Sequence, residues 1–141
     1  MYHVAYDKQK WLLSGYHRDT DSKLIKAIVL GLLGTVCKLG LSVNLEYFRT
    51  KEEYDLVQAL AQEYGYELHV FELTAPYAVL LARFHERVEN AKEKGSKISM
   101  TTDEVFNENY QKGYFVPDGA LSFDTTKVSE EEIVSKILTF F

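Results

Sequence analysis

Residues 71–87 read FELTAPYAVLLARFHER, and this stretch decides how the rest of the chain is interpreted. Its apolar start belongs to a strand predicted over residues 66–73. Pro76 follows at once, and proline fits the first turn of a helix because the N–H that it lacks has no helical partner there. Apolar side chains then recur at helical spacing as far as Gly95, which ends the helix: Val79, Leu80, Phe84 and Val88. The stretch therefore predicts a strand that passes directly into a helix.

Strands and helices alternate on both sides of this stretch. Three further strands are predicted, over residues 2–6, 41–46 and 120–123. Helices are predicted over 7–14, 22–39, 50–64 and 101–112, and from 129 to the last residue. Strands joined by helices of this length require parallel crossovers. The predicted fold class is therefore α/β, with a mostly parallel sheet flanked by helices in one domain of residues 1–141.

Local signals predict where the helices begin and which faces they bury. Three capping boxes are expected, at Thr50 with Glu53, Thr101 with Glu104 and Ser129 with Glu132. The helix over 22–39 is expected to be largely buried. The polar residues 92–100 are expected to form a mobile loop inside a lid-like region of about 83–112. In the last helix, the side chains expected to face inward are Ile133, Val134, Ile137, Leu138 and Phe141.

The composition argues against several classes of protein. Of the 141 residues, 46% are apolar, which is enough for a folded core. The formal charge of −5 argues against sequence-independent nucleic-acid binding, which needs a basic face. Cys37 is the only cysteine, so no internal disulfide is expected and the cytoplasm is the expected compartment. No stretch has the pattern of a signal peptide or a membrane span, so a soluble protein without a membrane partner is expected.

Several stretches together resemble the small P-loop kinases of the zeta-toxin and AAA-type ATPase-domain group. Residues 6–14 are similar to the second strand of that family with its following turn, and residues 41–48 to its third strand. Residues 71–76 and 80–87 resemble its fourth strand and its lid helix with paired arginines. Residues 123–129 resemble its last strand and the turn near the adenine. The resemblance implies ATP and Mg²⁺ as cofactors, and a nucleotide and a small hydroxyl-bearing acceptor as partners.

The resemblance also implies roles for single residues. Asp7, at the end of a strand, would orient the acceptor hydroxyl or take its proton. Glu46, at the end of the next strand, would hold Mg²⁺ through water. Arg83 and Arg87 would be catalytic and nucleotide-binding lid arginines, because they stand four residues apart and share a helix face. Asp124 would lie beside the nucleotide.

Ordinary structural roles remain open for the same side chains. Asp7 is equally well placed to be an N-cap for the residues that follow it. Glu46 could pair with Arg49 as a loop carboxylate. Arg18, a candidate for binding an anionic substrate, could equally belong to a polar loop.

The two arginines also have an alternative. Arg83 and Arg87 could form part of a solvated helix face that pairs with Glu86 and Glu89, and such surface pairs contribute little to stability.

One part of the family's sequence is missing from these residues. The family begins with a strand and the motif G-x-x-x-x-G-K-[ST], whose amides and lysine hold the phosphates. Gly31, Gly34 and Gly40 have no Lys-Ser/Thr pair after them and fit close helix packing instead. In the family the missing strand lies between those matched by residues 41–46 and 66–73. Its absence is expected to leave unpaired sheet edges.

Two functions follow as hypotheses. The first is a truncated part of an ATP-dependent kinase, which is inactive as the isolated chain because it has no P-loop. The alternative is a degenerate, non-catalytic assembly or regulatory domain that self-associates as a homo-oligomer through its exposed sheet edges.

Overall fold

A computed structural model describes the backbone of residues 1–141 and the side chains of all of them except Arg18 and Asp19. The chain forms two compact units, Met1–Leu68 and His69–Phe141. None of the helices in this described part is both long and apolar enough to cross a membrane. In chain order, the elements are β1 (Tyr2–Ala5), α1 (Tyr6–Leu12), α2 (Arg18–Lys38), β2 (Val43–Glu46), α3 (Lys51–Glu63), β3 (Phe71–Thr74), α4 (Tyr77–Lys94), α5 (Asp103–Lys112), β4 (Leu121–Asp124) and α6 (Glu130–Leu138).

The strands pair in parallel, which confirms the predicted α/β class. In the first unit β1 pairs with β2, and Ala5 lies opposite Glu46. In the second unit β3 pairs with β4, and Thr74 lies opposite Asp124. The structure therefore has two sheets of two strands each, where the sequence pattern predicts one larger sheet. Parallel sheets are normally buried and seldom this small, because each strand leaves half of its backbone groups unpaired at a free edge.

The end of α3 explains why β3 is shorter than predicted. The capping box of Thr50 and Glu53 begins this helix as expected. At its other end the Tyr66 N–H donates to the Ala61 carbonyl at 2.7 Å. Tyr66 therefore still bonds to a carbonyl of the last helical turn and is not free to pair as a strand residue. The Tyr66 hydroxyl also lies 3.1 Å from the carbonyl oxygens of both Cys37 and Leu41, and its one proton is shared between them. Strand pairing consequently starts at residue 71 rather than at residue 66.

The core of the first unit is built on α2. Cluster 1 consists of the buried residues Val4, Ile25 and Val29, and cluster 2 of Leu33, Cys37 and Val57. The prediction that α2 is largely buried is wrong for one face. Leu24 is 49% exposed and Ile28 41% exposed, because the sheet, α1 and α3 cover the other side of the helix.

In the second unit, α4 and α5 share a core. Phe84 and Phe106 stack with their ring centroids 4.8 Å apart. Ile98 and Met100 pack against the same cluster. The prediction of a mobile loop over residues 92–100 is therefore wrong in part, since α4 continues to Lys94 and the residues after it are anchored by apolar contacts. The lid-like character of residues 83–112 stays a prediction.

The start of α5 differs from its prediction by one residue. Thr102, not Thr101, is the N-cap, and its hydroxyl accepts a hydrogen bond from the Val105 N–H at 3.4 Å. The third residue after the cap is then Val105 instead of Glu104, and a valine side chain cannot accept a hydrogen bond from the backbone N–H of the cap residue. The start of α5 therefore has one cap hydrogen bond instead of the two of a capping box.

Substituting the two threonines separates these alternatives. Thr102→Ala is expected to lower the free energy of unfolding by about 1 kcal/mol, because it removes a cap hydrogen bond. Thr101→Ala is expected to change it by less than about 0.5 kcal/mol, as for an ordinary surface site. Urea denaturation of both variants measures the difference. A larger loss for Thr101→Ala would restore the predicted capping box.

The last helix keeps its cap but not its predicted burial. Ser129 and Glu132 form the expected capping box of α6. Ile133 is buried, whereas Val134, Leu138 and Phe141 are 48%, 59% and 66% exposed. The expectation that these three residues face inward is wrong, because within its unit the helix buries a narrower stripe than its apolar sequence suggests.

Candidate functional site

The carboxyl ends of β1 and β2 carry two of the predicted site residues. Ala5 and Glu46 are partners at the last position of the parallel ladder, and Asp7 follows Ala5 by two residues, in the first turn of α1. Ligands of α/β sheets bind outside the carboxyl ends of the strands. The backbone therefore places Asp7 and Glu46 at the end of the first unit's sheet where such sites occur.

Asp7 is held by a buried lysine. Its Oδ1 atom accepts a hydrogen bond from the Lys10 Nζ at 2.9 Å. Lys10 is only 5% exposed, and its Nζ lies 4.3 Å from the centroid of the Trp11 ring. The Asp7 side chain, in contrast, is 68% exposed. A fixed carboxylate that stays open to solvent suits a group that must meet an incoming hydroxyl.

The alternative role for Asp7, a helix N-cap, is wrong. The N-cap of α1 is Ala5, which makes no side-chain cap hydrogen bond, and Asp7 lies inside the helix. Its negative charge still suits the first turn of the helix dipole. The sequence analysis did not identify Lys10 as the partner of Asp7. The spacing of three residues could have shown it, because that spacing brings helical side chains together.

A hydrogen-bonded pair of tyrosines lies near Lys10. The hydroxyls of Tyr6 and Tyr16 lie 3.1 Å apart, and the Tyr16 ring centroid is 5.6 Å from the Lys10 Nζ. Burial, followed by the hydrogen bond from Tyr16, raises the pKa of Tyr6 well above its usual value. Tyr6 therefore stays protonated and acts as a hydrogen-bonding group rather than as a base.

Glu46 is oriented by a histidine from the neighbouring strand. The His3 Nε2 and the Glu46 Oε1 are 2.9 Å apart, and the Lys8 Nζ lies 2.9 Å from the His3 Nδ1. Because a lysine ammonium can only donate, Nδ1 accepts and Nε2 carries the proton that is donated to Glu46. These contacts fix the tautomer of the His3 ring. The Glu46 Oε2 has no hydrogen-bond partner among the described residues, and the side chain is 68% exposed.

The donor set around Glu46 permits only a sparse metal site. Among the residues whose side chains are described, no group of three or more His, Cys, Asp or Glu is arranged to hold a metal ion. Magnesium commonly uses one or two carboxylates and keeps several waters. The residues present therefore fit a contact through water from one carboxylate, and the role of Glu46 as that ligand stays a prediction.

In the second unit, Arg83 is bound to the end of β4. Its Nη1 donates to the Thr125 hydroxyl at 2.7 Å and its Nη2 to the Thr125 carbonyl at 3.2 Å. The same hydroxyl donates to the Thr74 carbonyl, at 3.0 Å. These bonds tie α4 to the carboxyl ends of both strands of the second sheet.

Arg87 differs from Arg83 in having no partner among the described side chains. It is exposed and lies one turn further along α4, and no described residue hydrogen-bonds or ion-pairs with its guanidinium. The alternative in which it pairs with Glu86 or Glu89 is not realised, and Glu89 pairs with Lys92 instead, at 2.8 Å. The five donors of Arg87 are therefore available to an anion.

Asp124 stabilises the turn that follows β4. It accepts from the N–H and the hydroxyl of Thr126, at 3.0 and 2.6 Å, and pairs with the Lys127 Nζ at 3.1 Å. The Thr126 hydroxyl, the Thr126 N–H and Lys127 lower the pKa of Asp124 to about 2. This side chain shapes the turn that Arg83 contacts, and its place beside a nucleotide stays a prediction. The side chain of Arg18, the predicted substrate contact, lies outside the described residues.

Sequence reasoning also missed a carboxylate on β3. Glu72 accepts hydrogen bonds from the Tyr114 hydroxyl, at 3.1 Å, and from the Ser122 hydroxyl. Burial and then the bond to Glu72 raise the pKa of Tyr114. Ser122 lies opposite Glu72 in the parallel register, which no local spacing in the sequence reveals. The three side chains satisfy one another and join β3 to β4.

Comparison with known proteins defines the class of fold. No family model matches the chain, and no curated protein matches it. Among solved structures, the chain has the α/β fold of a protein from Chloroflexus aurantiacus J-10-fl that is described as a candidate kinase, with a crystal structure at 1.70 Å resolution. The TM-score is 0.75, with 16% sequence identity, and the match covers 100% of this chain and 84% of that one. At this identity the likeness shows the fold.

Proposed function

We propose that this chain is part of an ATP-dependent kinase that transfers a phosphoryl group to a small hydroxyl-bearing acceptor. The observation that carries the proposal is the likeness of fold, over the whole chain, to a protein described as a candidate kinase. Residues of each unit, taken separately, support it, because phosphoryl transfer uses exposed carboxylates such as Asp7 of the first unit and arginines such as Arg87 of the second, which has no partner among the described side chains.

Asp7 is proposed to receive the proton of the acceptor hydroxyl. As the acceptor oxygen forms its bond to the γ-phosphorus, the bond from that phosphorus to the departing ADP oxygen breaks and the hydroxyl proton moves to the Asp7 carboxylate. Lys10 holds Oδ1, and the other oxygen of the carboxylate has no hydrogen-bond partner among the described residues in a side chain that is 68% exposed.

Arg87 is proposed to contact the phosphates directly, because its guanidinium has no competing partner among the described residues. Arg83 is already bound to Thr125, so its proposed part is to hold α4 against the end of β4 and to add positive charge beside Arg87. Transfer of the phosphoryl group spreads negative charge over its oxygens, and fixed arginines stabilise that charge.

Bound ATP with Mg²⁺ would supply the phosphoryl group and balance its charge. Glu46 is the residue proposed to hold Mg²⁺ through water, and His3 orients its carboxylate. The sequence has no G-x-x-x-x-G-K-[ST] motif, so we infer that these residues alone bind phosphates weakly and that the isolated chain is inactive.

The alternative function is assembly or regulation without catalysis. It is favoured by one observation, which is that each unit contains a parallel sheet of only two strands. Such sheets have backbone groups available for pairing with another polypeptide.

Calorimetric titration of Mg²⁺ and ATP, into the 141-residue chain and into the protein as its gene encodes it, tests the proposal. We expect heat of binding in the gene-encoded protein and a dissociation constant raised roughly tenfold by Arg87→Met, since a hydrogen bond to a charged group is lost. Lys94→Met, which removes a positive charge from the same helix, is the matched control and should leave the constant nearly unchanged. No binding by either wild-type form would overturn the kinase proposal and support assembly.

A further inference from the structure

Trp11 is a solvent-exposed aromatic side chain next to the carboxylate of Asp7. The two residues stand four apart in α1, a spacing that places side chains on one face of a helix. The Lys10 Nζ lies 2.9 Å from the Asp7 Oδ1 and 4.3 Å from the centroid of the Trp11 ring. The carboxylate oxygen and the ring centroid are therefore no further apart than the sum of these two distances, and one small molecule can contact both.

Lys10 lies over one face of the Trp11 ring. The lysine is buried, and its ammonium is held there by its hydrogen bond to Asp7. Trp11 itself is 44% exposed, and apart from Lys10 no described side chain makes a ring contact or a hydrogen bond with it. Tryptophan offers a large, rigid contact surface that loses little conformational entropy when a ligand covers it. The exposed part of this ring is therefore available to a small ligand.

The charges around Trp11 favour a neutral ligand. A cation on the ring would be repelled by Lys10, and an anion would be repelled by the exposed carboxylate of Asp7. An apolar surface laid over both residues would bury that carboxylate without hydrogen bonds to replace those from water, which is costly. A neutral molecule with hydroxyl groups avoids all three costs, because its hydroxyls donate to the carboxylate.

We propose that Trp11 is the surface on which the ring of the acceptor lies, and that the acceptor is a neutral cyclic polyol, either a free sugar or the sugar of a nucleoside. The face of an aromatic ring is negative, so it attracts the C–H groups on the flat side of such a polyol. The hydroxyls at the edge of the polyol ring are then within reach of Asp7, the proposed proton acceptor. The inference rests on the proposed function, since it names the acceptor class of the same site.

The single tryptophan of the chain reports on this surface directly. In NMR spectra of the isotope-labelled 141-residue chain, its indole N–H gives one signal. We expect that signal to shift with methyl β-glucopyranoside, a free sugar ring, or with uridine, a nucleoside, and to stay in place with sorbitol, an acyclic polyol. A shift with the glucoside alone assigns a free sugar. A shift with uridine, with saturation transfer from the protein to its sugar protons, assigns the sugar of a nucleoside.

Two neighbouring substitutions isolate the aromatic contribution. Trp11→Leu keeps an apolar side chain but removes the aromatic face, and should weaken binding of the shifting ligand roughly fivefold, measured by saturation transfer to that ligand. Leu12→Ala alters the next side chain, which is 80% exposed, and should leave this binding unchanged. In the gene-encoded protein, the loss for Trp11→Leu should fall on the Michaelis constant of the acceptor more than on turnover, the reverse of the effect expected for Asp7→Asn.

An indole signal that neither cyclic ligand shifts, an equal shift with sorbitol, or equal binding by Trp11→Leu and the wild type would overturn the proposal. Saturation transfer to the base protons of uridine without transfer to its sugar protons would also overturn it, because Trp11 would then stack a nucleobase. The NMR measurement needs no phosphoryl transfer. A chain that binds the sugar ring at Trp11, but whose gene-encoded form phosphorylates no alcohol, would therefore remove the kinase proposal and keep the sugar site.

Discussion

Ile25→Ala is expected to lower the free energy of unfolding by about 2–5 kcal/mol, the range for truncating a buried isoleucine. Ile25 is 0% exposed and packs in cluster 1 together with Val4 and Val29. Its removal leaves a cavity beneath the β1–β2 sheet that surrounding side chains can fill only in part. Denaturation in urea, followed by circular dichroism, measures the loss.

Leu24→Ala provides the matched control. Leu24 is the preceding residue of α2 and is 49% exposed, so its truncation is expected to cost less than about 1 kcal/mol. Alanine is also the best helix former, which offsets part of that loss. Similar losses for the two variants would mean that the exposed face of α2 is covered in solution.

Asp7→Asn is expected to reduce the turnover of phosphoryl transfer roughly 100-fold or more, because an amide cannot take the acceptor's proton. The measurement is transfer of label from γ-radiolabelled ATP to a pool of small alcohols, sugars and nucleosides, with the protein as its gene encodes it. The Michaelis constant for ATP should change little, since Asp7 is proposed to act on the acceptor.

Asp55→Asn serves as the control for Asp7→Asn. Asp55 is an exposed aspartate on α3 that pairs with Lys51, so its substitution should leave turnover unchanged. Turnover by Asp7→Asn equal to that of the wild type would show that Asp7 serves only its ion pair with Lys10. Wild-type protein that labels no member of the pool would remove the basis for assigning Asp7 any catalytic role.

Local signals in the sequence predict local structure well. The capping boxes at Thr50 and Ser129 and the glycine end of α4 at Gly95 are confirmed, because each depends on residues within one turn of the chain. The prediction of Thr101 as the cap of α5 is wrong by one residue, because Thr101 and Thr102 have the same hydroxyl group. Thr102 is the one whose hydroxyl accepts the cap hydrogen bond, and the two side chains in the sequence do not distinguish it from Thr101.

Burial and side-chain partners are harder to predict. His3 meets Glu46, and Arg83 meets Thr125, across more than 40 residues of sequence. Only the register of the strands and the direction of α4 bring these groups together, and neither follows from periodicity. Lys10 is different, because its spacing from Asp7 is helical and its apolar neighbour Trp11 is adjacent.

The parallel pairings described above also set the order in which the chain can fold. Tyr2 pairs with Val43, and Phe71 with Leu121, so each ladder closes a long loop before its first hydrogen bond forms. Closing such a loop costs entropy that local helix formation does not. Helices form within about a microsecond, whereas folds dominated by distant contacts take milliseconds to seconds. In each unit the helices would therefore be present early, and closure of its single ladder would limit the rate of folding.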